Sequence, residues 1–390
     1  MGEHMRSEQA DVVVIGGGPA GSAAALRLAR NGRRVIQLER RVFGADGYER
    51  LRSGEGLIPR TLREIAALGL DPHTLPCRLS QVRHVRIHWP DGSQTADQIG
   101  QRGGIVHIDR DRFDAHLFAA ARQAGVDGRQ GWRVIELQQQ RGIVCGVVAR
   151  SADGTPHLIH APVVIDAGGR NALAIRTFDL RRSDPHGDFF GMAMFFDQAA
   201  ELDAATWETH MFDPERLSVV QLSRLEDGVV RCGLGTQEAV KWASARDPQT
   251  FFWERVAQHP DLTRRLRGSR VLCKPFVRAN IGYRVRRVVL DGVLLAGDAA
   301  GYCNPLFGDG ILRALLDGRH AAQAIDTALQ RGDPSARGLG SYALRHLIRD
   351  RRDWLAKHMI LRMYRAPDAL SSIARRAPIR RTALAALMRA

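Results

Sequence analysis

The chain has 390 residues, 44% of them hydrophobic and 25% charged, which is enough to bury a large core in two joined domains. No apolar run is long enough to span a bilayer, and the polar start MGEHMRSEQA has no signal-peptide pattern, so a cytoplasmic protein is expected. The net charge of +15 rests almost wholly on arginine, since Lys241, Lys274 and Lys357 are the only lysines; dispersed arginines without a helix-turn-helix, zinc-finger or aromatic RNA-binding pattern argue against nucleic acid and leave an acidic membrane surface, an acidic partner, an anionic cofactor or a plain solvated surface.

The first element carries the strongest signal. DVVVIGGGPAGSAAALRLARNGRRVIQLER reads as a strand over 12–15, a glycine turn, an alanine-rich helix and a second strand ending at Glu39. Gly16, Gly18 and Gly21 stand at GxGxxG spacing within this complete βαβ context, where Gly16 permits a tight turn, Gly18 lets backbone approach a pyrophosphate and Gly21 lets helix and strand pack closely. Ala20, in the first turn of the helix, belongs to the same phosphate-facing terminus. Glu39, with Arg40 beside it, is placed to accept hydrogen bonds from a ribose diol. A dinucleotide is expected from this segment, but not which one.

Further along, RSGEGLIPRTL presents Arg52, Ser53 and Glu55 as exposed polar residues among glycines, and APVVIDAGGRNA is a buried strand ending at Asp166. DFFGMAMFF, TWETHMF and VVQLSRL read as alternating strands. VVLDGVLLAG is a buried strand that hands over at Gly297 and Asp298 to a glycine-studded turn and a helix. Asp298 reads either as a helix cap or as a carboxylate that accepts from a sugar-alcohol hydroxyl, and Gly308 and Gly310 would expose N–H donors where the next helix begins. After the turn-rich GDPSARGLG a helical, arginine-rich tail runs to the C-terminus. Its last arginines form a basic face suited to an acidic partner. Five cysteines without a CxxC pair or a Cys/His cluster give neither a disulfide framework nor a metal site.

AGDAAGYCNPLFGDGI, together with the N-terminal glycine loop, resembles the flavoproteins that include the FAD-dependent aromatic hydroxylases, the geranylgeranyl reductases and the tryptophan-halogenase-like enzymes. The resemblance runs from about Asp11 to about Ala322. It implies an α/β fold: a Rossmann-like FAD-binding domain (1–80, 100–175 and 281–332), an inserted β-sheet substrate domain (81–99 and 176–280) and a C-terminal helical segment (333–390). It also implies that Gly297 and Asp298 meet the ribityl chain, that Pro305 stiffens the turn near the isoalloxazine, and that Arg110 of IDRDRF lies near the FAD with Asp114 capping and packing its helix. Asp166, in the altered Asp-Ala-Gly-Gly form of the family's Asp-Gly element, is expected beside the cofactor.

No second GxGxxG loop exists, so the resemblance implies that NADH or NADPH visits transiently or that a partner supplies reduced flavin, with O2 as co-substrate. A halogenase of the tryptophan type needs a Trp-x-Trp-x-Ile-Pro segment and a lysine downstream of GEGLIP, and a prenyl reductase a Tyr-x-Trp-x-Phe-Pro segment; none is visible. The expectation is therefore a monooxygenase that hydroxylates a phenol- or indole-type ring through a flavin hydroperoxide. The ring belongs to a small molecule or to an acidic peptide or carrier protein, including protein-bound tryptophan as in quinone-cofactor formation. A non-catalytic assembly subunit is the reading from a different class. Candidate bases are Glu55, His84 and His210. Phe189, Met192, Met194, Phe196 and Met211 are candidate pocket lining, although such a stripe is commonly the core face of a sheet.

Overall fold

The computed structural model describes residues 6–44, 55–90, 92–184, 190–212, 218–225, 228–237, 247–278, 282–302 and 308–365, with side chains to Leu355. Arg52, Ser53, Phe189 and Pro305 lie outside the described residues. The chain is a mixed α/β protein.

The strands Val12–Ile15, Val35–Glu39, Val163–Asp166 and Val293–Leu295 are parallel neighbours in a six-stranded sheet. All four are buried along their whole length, which is why they read as continuous apolar runs rather than alternating ones. One face is covered by the helix Pro19–Arg30, whose alanines let it press against the long helix Gly310–Gln330. At that crossing a Cβ on Gly318 would lie 2.6 Å from the Ala20 carbonyl oxygen, so only glycine permits the approach. The expected single strand in VVLDGVLLAG is instead two short antiparallel strands, Val289–Leu290 and Val293–Leu295, reversed at Asp291 and Gly292. Gly292 has φ +75°, and its backbone lies against the Val144 carbonyl, where a side chain has no room.

A second sheet of seven strands stands beside this body: Phe276–Arg278, Phe190–Phe196, Val230–Thr236, Ser218–Arg224, Thr206–Phe212, His84–His88 and Gln94–Gln98, in that spatial order. Its alternation assigns two faces. Phe190, Met192, Met194, Phe196, Val220, Leu222, Cys232 and Leu234 pack with Phe251, Phe252, Leu262 and Leu266 of the two short helices Pro248–Val256 and Pro260–Leu266. The opposite face looks toward the parallel-sheet body, where Trp207, Val85 and Ile87 pack with Ile58, Ile105, Leu312 and Leu316.

The helix Gly340–Arg365 closes the body. Tyr342 donates to the Leu295 carbonyl at 2.6 Å, and Arg349 donates to buried Asp317 at 2.5 Å. Asp317 also accepts from the Gly297 N–H at 3.1 Å. Burial works against the Asp317 charge, but Arg349 and His346 outweigh it and hold the carboxyl well below its ordinary range.

Candidate flavin site

Three turns far apart in sequence leave the parallel sheet at one edge. Ile15, Asp166 and Leu295 are register partners at the ends of adjacent strands, so the glycine turn, Ala167–Gly168 and Gly297–Asp298 emerge side by side. Gly16 takes φ +105°, and a Cβ there would overlap the Ala167 carbonyl. A Cβ on Gly21 would overlap the Gly16 carbonyl. Gly18 differs: a Cβ there would meet nothing within 4 Å, so glycine at this position is not required by the protein's own packing. Gly18 is also the N-cap of the helix Pro19–Arg30, which has no side-chain cap and no acidic residue in its first turn. An open backbone approach onto an uncapped helix terminus is what a pyrophosphate needs. Gly297 has φ +64°, and its Cβ position lies 2.9 Å from the Ala20 Cβ, which brings the distal turn directly onto the first turn of that helix.

Glu39 is nearly fully buried and accepts from the Gly17 N–H at 2.6 Å and from the Arg41 backbone and guanidinium at 3.0 and 2.9 Å. Arg40 is exposed, so Arg41 is the arginine that folds onto this corner. Asp298 is exposed on the short turn Gly297–Ala300, with its backbone carbonyl taking the Tyr283 hydroxyl. Gly308 and Gly310 are exposed at the start of the helix Gly310–Gln330, which carries no side-chain cap, and a Cβ on either would meet nothing within 4 Å.

Asp166 is fully buried and aims inward. Its carboxylate accepts from the N–H groups of Gly168 at 3.0 Å and Ala174 at 2.7 Å, so it shapes the loop instead of facing a ligand. Burial raises its pKa against those two hydrogen bonds.

Arg110 opens the helix Arg110–Gln123, whose cap is Asp109, accepting from the Asp111 and Arg112 N–H groups. Asp114 is therefore not a cap. It is a fully buried carboxylate that binds the Arg110 guanidinium at 3.1 and 3.2 Å, while Glu55 pairs with the same guanidinium from the strand Glu55–Leu57. Burial disfavours the Arg110 charge, but Asp114 and Glu55 overcome it and hold its pKa above the ordinary arginine range.

Neither histidine expected as a base faces this edge. His84 is exposed, and it is the register partner of Thr206; His210 is the partner of His88. Both therefore share the face of Glu208, on the side of the sheet under the two short helices. Strand alternation places a residue on one of two faces but does not say which face meets the cofactor. The same ambiguity displaced Met192, Met194 and Phe196, which pack into the cluster beneath the helices, whereas Met211 lies on the opposite face.

His88, Glu208 and His210 offer ligand atoms within 4.8 Å of one another, a grouping that sequence spacing did not reveal. The His88 and His210 rings stack at 4.0 Å with 7° between planes, so their in-plane lone pairs run parallel and do not converge on one ion. Glu208 is already bonded to Arg86 at 2.9 Å and to Arg265. Burial opposes its charge, yet the hydrogen bonds from His210, His88 and Arg265 hold its pKa far below normal. The cluster ties sheet to helices.

Arg231, Trp207 and His107 are the residues that sequence reading missed. Arg231 alternates with Val230 and Cys232 of the covered face, which puts it on the side toward the parallel-sheet body. His107 is fully buried, bonds Ser80 through Nδ1 at 3.0 Å and lies 5.3 Å from the Trp207 ring; burial, with Arg231 nearby, pushes its pKa down to about 3. On the same face Gly191 is the cross-strand partner of Gly235 and Ala193 of Gly233; the Arg231 guanidinium lies over Gly233, and Ala193 packs with Phe195 and Leu225.

A parallel sheet whose glycine turn, carboxylate corner and distal Gly-Asp turn share one edge, beside a second sheet of seven strands, is the architecture of a flavoprotein. Residues 9–351 match the FAD binding domain family, and the chain belongs to it. It is an FAD-dependent oxidoreductase. Over 370 residues it is 28% identical to the 1H-pyrrole-2-carbonyl-[peptidyl-carrier protein] chlorinase of Pseudomonas fluorescens, covering 87% of this chain and 80% of that protein. It is likewise 28% identical, over 335 residues, to the digeranylgeranylglycerophospholipid reductase of Methanoculleus marisnigri, covering 85% and 80%. The myxobacterial chondrochloren halogenase, an FAD-dependent halogenase, has the same fold, with a TM-score of 0.77 at 23% identity over 87% of this chain and 79% of that one. Among the described residues no helix is long and apolar enough to cross a membrane.

Proposed function

We propose that the protein is an FAD-dependent monooxygenase that hydroxylates an aromatic ring held between the parallel-sheet edge and the inner face of the seven-stranded sheet. The observation that carries this reading is a floor of small residues, Gly191, Ala193, Gly233 and Gly235, partly covered by the Arg231 guanidinium, on a face without a lysine among the described residues. Lys274 is exposed, in the turn before the edge strand Phe276–Arg278.

The residues at the edge fit FAD. The open Gly18 and the uncapped helix behind it would hold the pyrophosphate, Glu39 with Arg41 the ribose, Asp298 the ribityl hydroxyls, and the N–H groups near Gly308 and Gly310 the ring. Bound FAD supplies oxygen activation and two-electron chemistry, with NADH, NADPH or a partner's reduced flavin as donor and O2 as co-substrate. The protein's own contribution is positional. The packed interface of Trp207, Val85, Ile105 and Leu312 keeps water from one flank of the floor, and the Arg110, Glu55 and Asp114 cluster keeps a fixed charge arrangement beside it. Of the three candidate bases, Glu55 alone stands on the cofactor side.

Halogenation is the second reading, favoured by the chlorinase relative, which by its name acts on a carrier-bound pyrrolyl group. One experiment separates the two: reduced holoenzyme exposed to oxygen with an aromatic substrate, with and without chloride or bromide, and the product weighed by mass spectrometry. Addition of a single oxygen atom, independent of halide, supports hydroxylation; halide-dependent halogenated product replaces it with the second reading.

A further inference from the structure

We propose that the outward face of the helix Gly340–Arg365 is a docking surface for a lipid bilayer with anionic headgroups, independently of the reaction the protein catalyses. At 3.6 residues per turn Tyr342, His346, Arg349 and Asp353 share one side of this helix, and that side is spent on the body: Tyr342 binds the Leu295 carbonyl and Arg349 binds Asp317. Leu344, Ile348 and Leu355 fall on the diametrically opposite side and are 58%, 54% and 56% exposed. Leu347 and Trp354, also exposed, widen this apolar ridge along one flank. A surface helix ordinarily shows water a charged face opposite its packed one, so aliphatic residues at the outermost positions mark a helix built to meet a second partner.

Charge selects the partner. The charged residues around the ridge are Arg345, Arg351 and Arg352, all exposed. The two acids of the same stretch are drawn toward the body: Asp350 lies 3.5 Å from Arg313 and 3.4 Å from Arg284, and Asp353 lies 3.2 Å from Arg313. Beyond Leu355 the sequence holds one acidic residue, Asp368, against Lys357 and seven arginines. A second copy of this helix, or the chain's own arginine-rich end, would therefore set cation against cation over the ridge. An anionic surface does the opposite. The ridge from Leu344 to Leu355 is about 16 Å long, and a protein partner would have to supply a groove of that length with an acidic rim. A bilayer supplies both without being shaped to the helix, because its acyl boundary takes the aliphatic side chains while the arginines reach outward to the lipid phosphates. No described helix is long and apolar enough to cross a membrane, so this one lies in the headgroup region.

The test is flotation of the FAD-loaded full chain with vesicles of phosphatidylcholine alone and of phosphatidylcholine mixed with phosphatidylglycerol. Binding to the anionic vesicles is expected to be about tenfold or more tighter than to the neutral ones, and to weaken as salt is raised. A ridge variant, Leu344→Ser with Ile348→Ser and Leu355→Ser, keeps the net charge and is expected to weaken binding to anionic vesicles about tenfold or more at unchanged FAD content. Arg345→Gln with Arg351→Gln and Arg352→Gln is expected to reduce the preference for anionic over neutral vesicles by about tenfold. The comparison of the two vesicles uses the unaltered protein, so it stands even if a variant does not fold. Absence of flotation, equal binding to both vesicles, or full binding by the ridge variant overturns the proposal; the last outcome assigns the attraction to the basic chain end alone. A dimer of the unaltered protein that the ridge variant dissociates also overturns it, by making a second copy the cover. Ridge-dependent capture on immobilised polyglutamate without flotation overturns it in favour of an acidic protein.

Discussion

At the edge of the parallel sheet the site is made of backbone. Its glycines fold onto carbonyls, its helix terminus supplies N–H groups, and its carboxylates Glu39 and Asp166 are mostly spent on holding turns. On the seven-stranded sheet the inner face is made of side chains: the Arg231 guanidinium lies over Gly233, and Trp207, Val85 and Ile87 pack with Ile58 and Leu312. The first kind of site leaves almost no room for change without loss of fold. The second can be altered residue by residue, which suits a scaffold whose relatives act on a carrier-bound pyrrole and on prenyl lipids.

The largest expected effect tests the backbone side of that contrast. Gly21→Val drives a side chain into the Gly16 carbonyl and is expected to abolish FAD binding and most soluble protein, read as yield and yellow colour. Gly18→Ala should leave the cofactor-free protein within about 0.5 kcal/mol of wild type while weakening FAD at least about tenfold; unchanged affinity would remove the pyrophosphate from that position.

Next comes Asp317→Ala, which removes the buried partner of the half-buried Arg349 charge and is expected to cost about 3 kcal/mol in denaturant unfolding. The pH dependence has a definite sign. Because the folded Asp317 pKa is depressed, its contribution is fully present above the unfolded carboxylate pKa of about 3.9 and is lost as pH falls through and below that value. A wild-type acid limb that Asp317→Ala does not flatten would contradict this.

Met194→Ala should cost about 2–5 kcal/mol through the cavity left beneath Phe252, with KM unchanged for whatever substrate is turned over, because Met194 packs away from the floor. Asp298→Asn should leave stability of the cofactor-free protein within about 0.5 kcal/mol and raise the FAD Kd about tenfold, measured by fluorescence titration. The smallest effect belongs to His84→Ala: exposed and on the far face, it should change neither stability nor kcat beyond error.

The parallel-sheet side was largely legible because its requirements act within a short stretch of chain. Gly16 and Gly21 are spaced by the turn itself, and fully buried strands show as apolar runs, so the βαβ unit and the Asp298 turn stand out without a structure. Two details there were not legible. Arg41 reaches Glu39 while Arg40 points to solvent, and Asp109 caps the helix that Asp114 was expected to cap; each turns on a one-residue difference in direction. On the seven-stranded sheet, strand existence followed from alternation, but sidedness depends on what packs above, and the covering helices Pro248–Val256 and Pro260–Leu266 follow later in the chain. Hence the sequence alone does not say that His84 and His210 share the face under those helices, nor that Arg231 points inward, which follows once Cys232 is known to face the helices.

Asp317 takes the Gly297 amide with one oxygen and Arg349 with the other, so the final helix and the Gly297–Ala300 turn share a single anchor. A protease cut that releases the chain after Gly340 is therefore expected to bleach the enzyme as well as shorten it: colour and intact mass should decay with one rate constant.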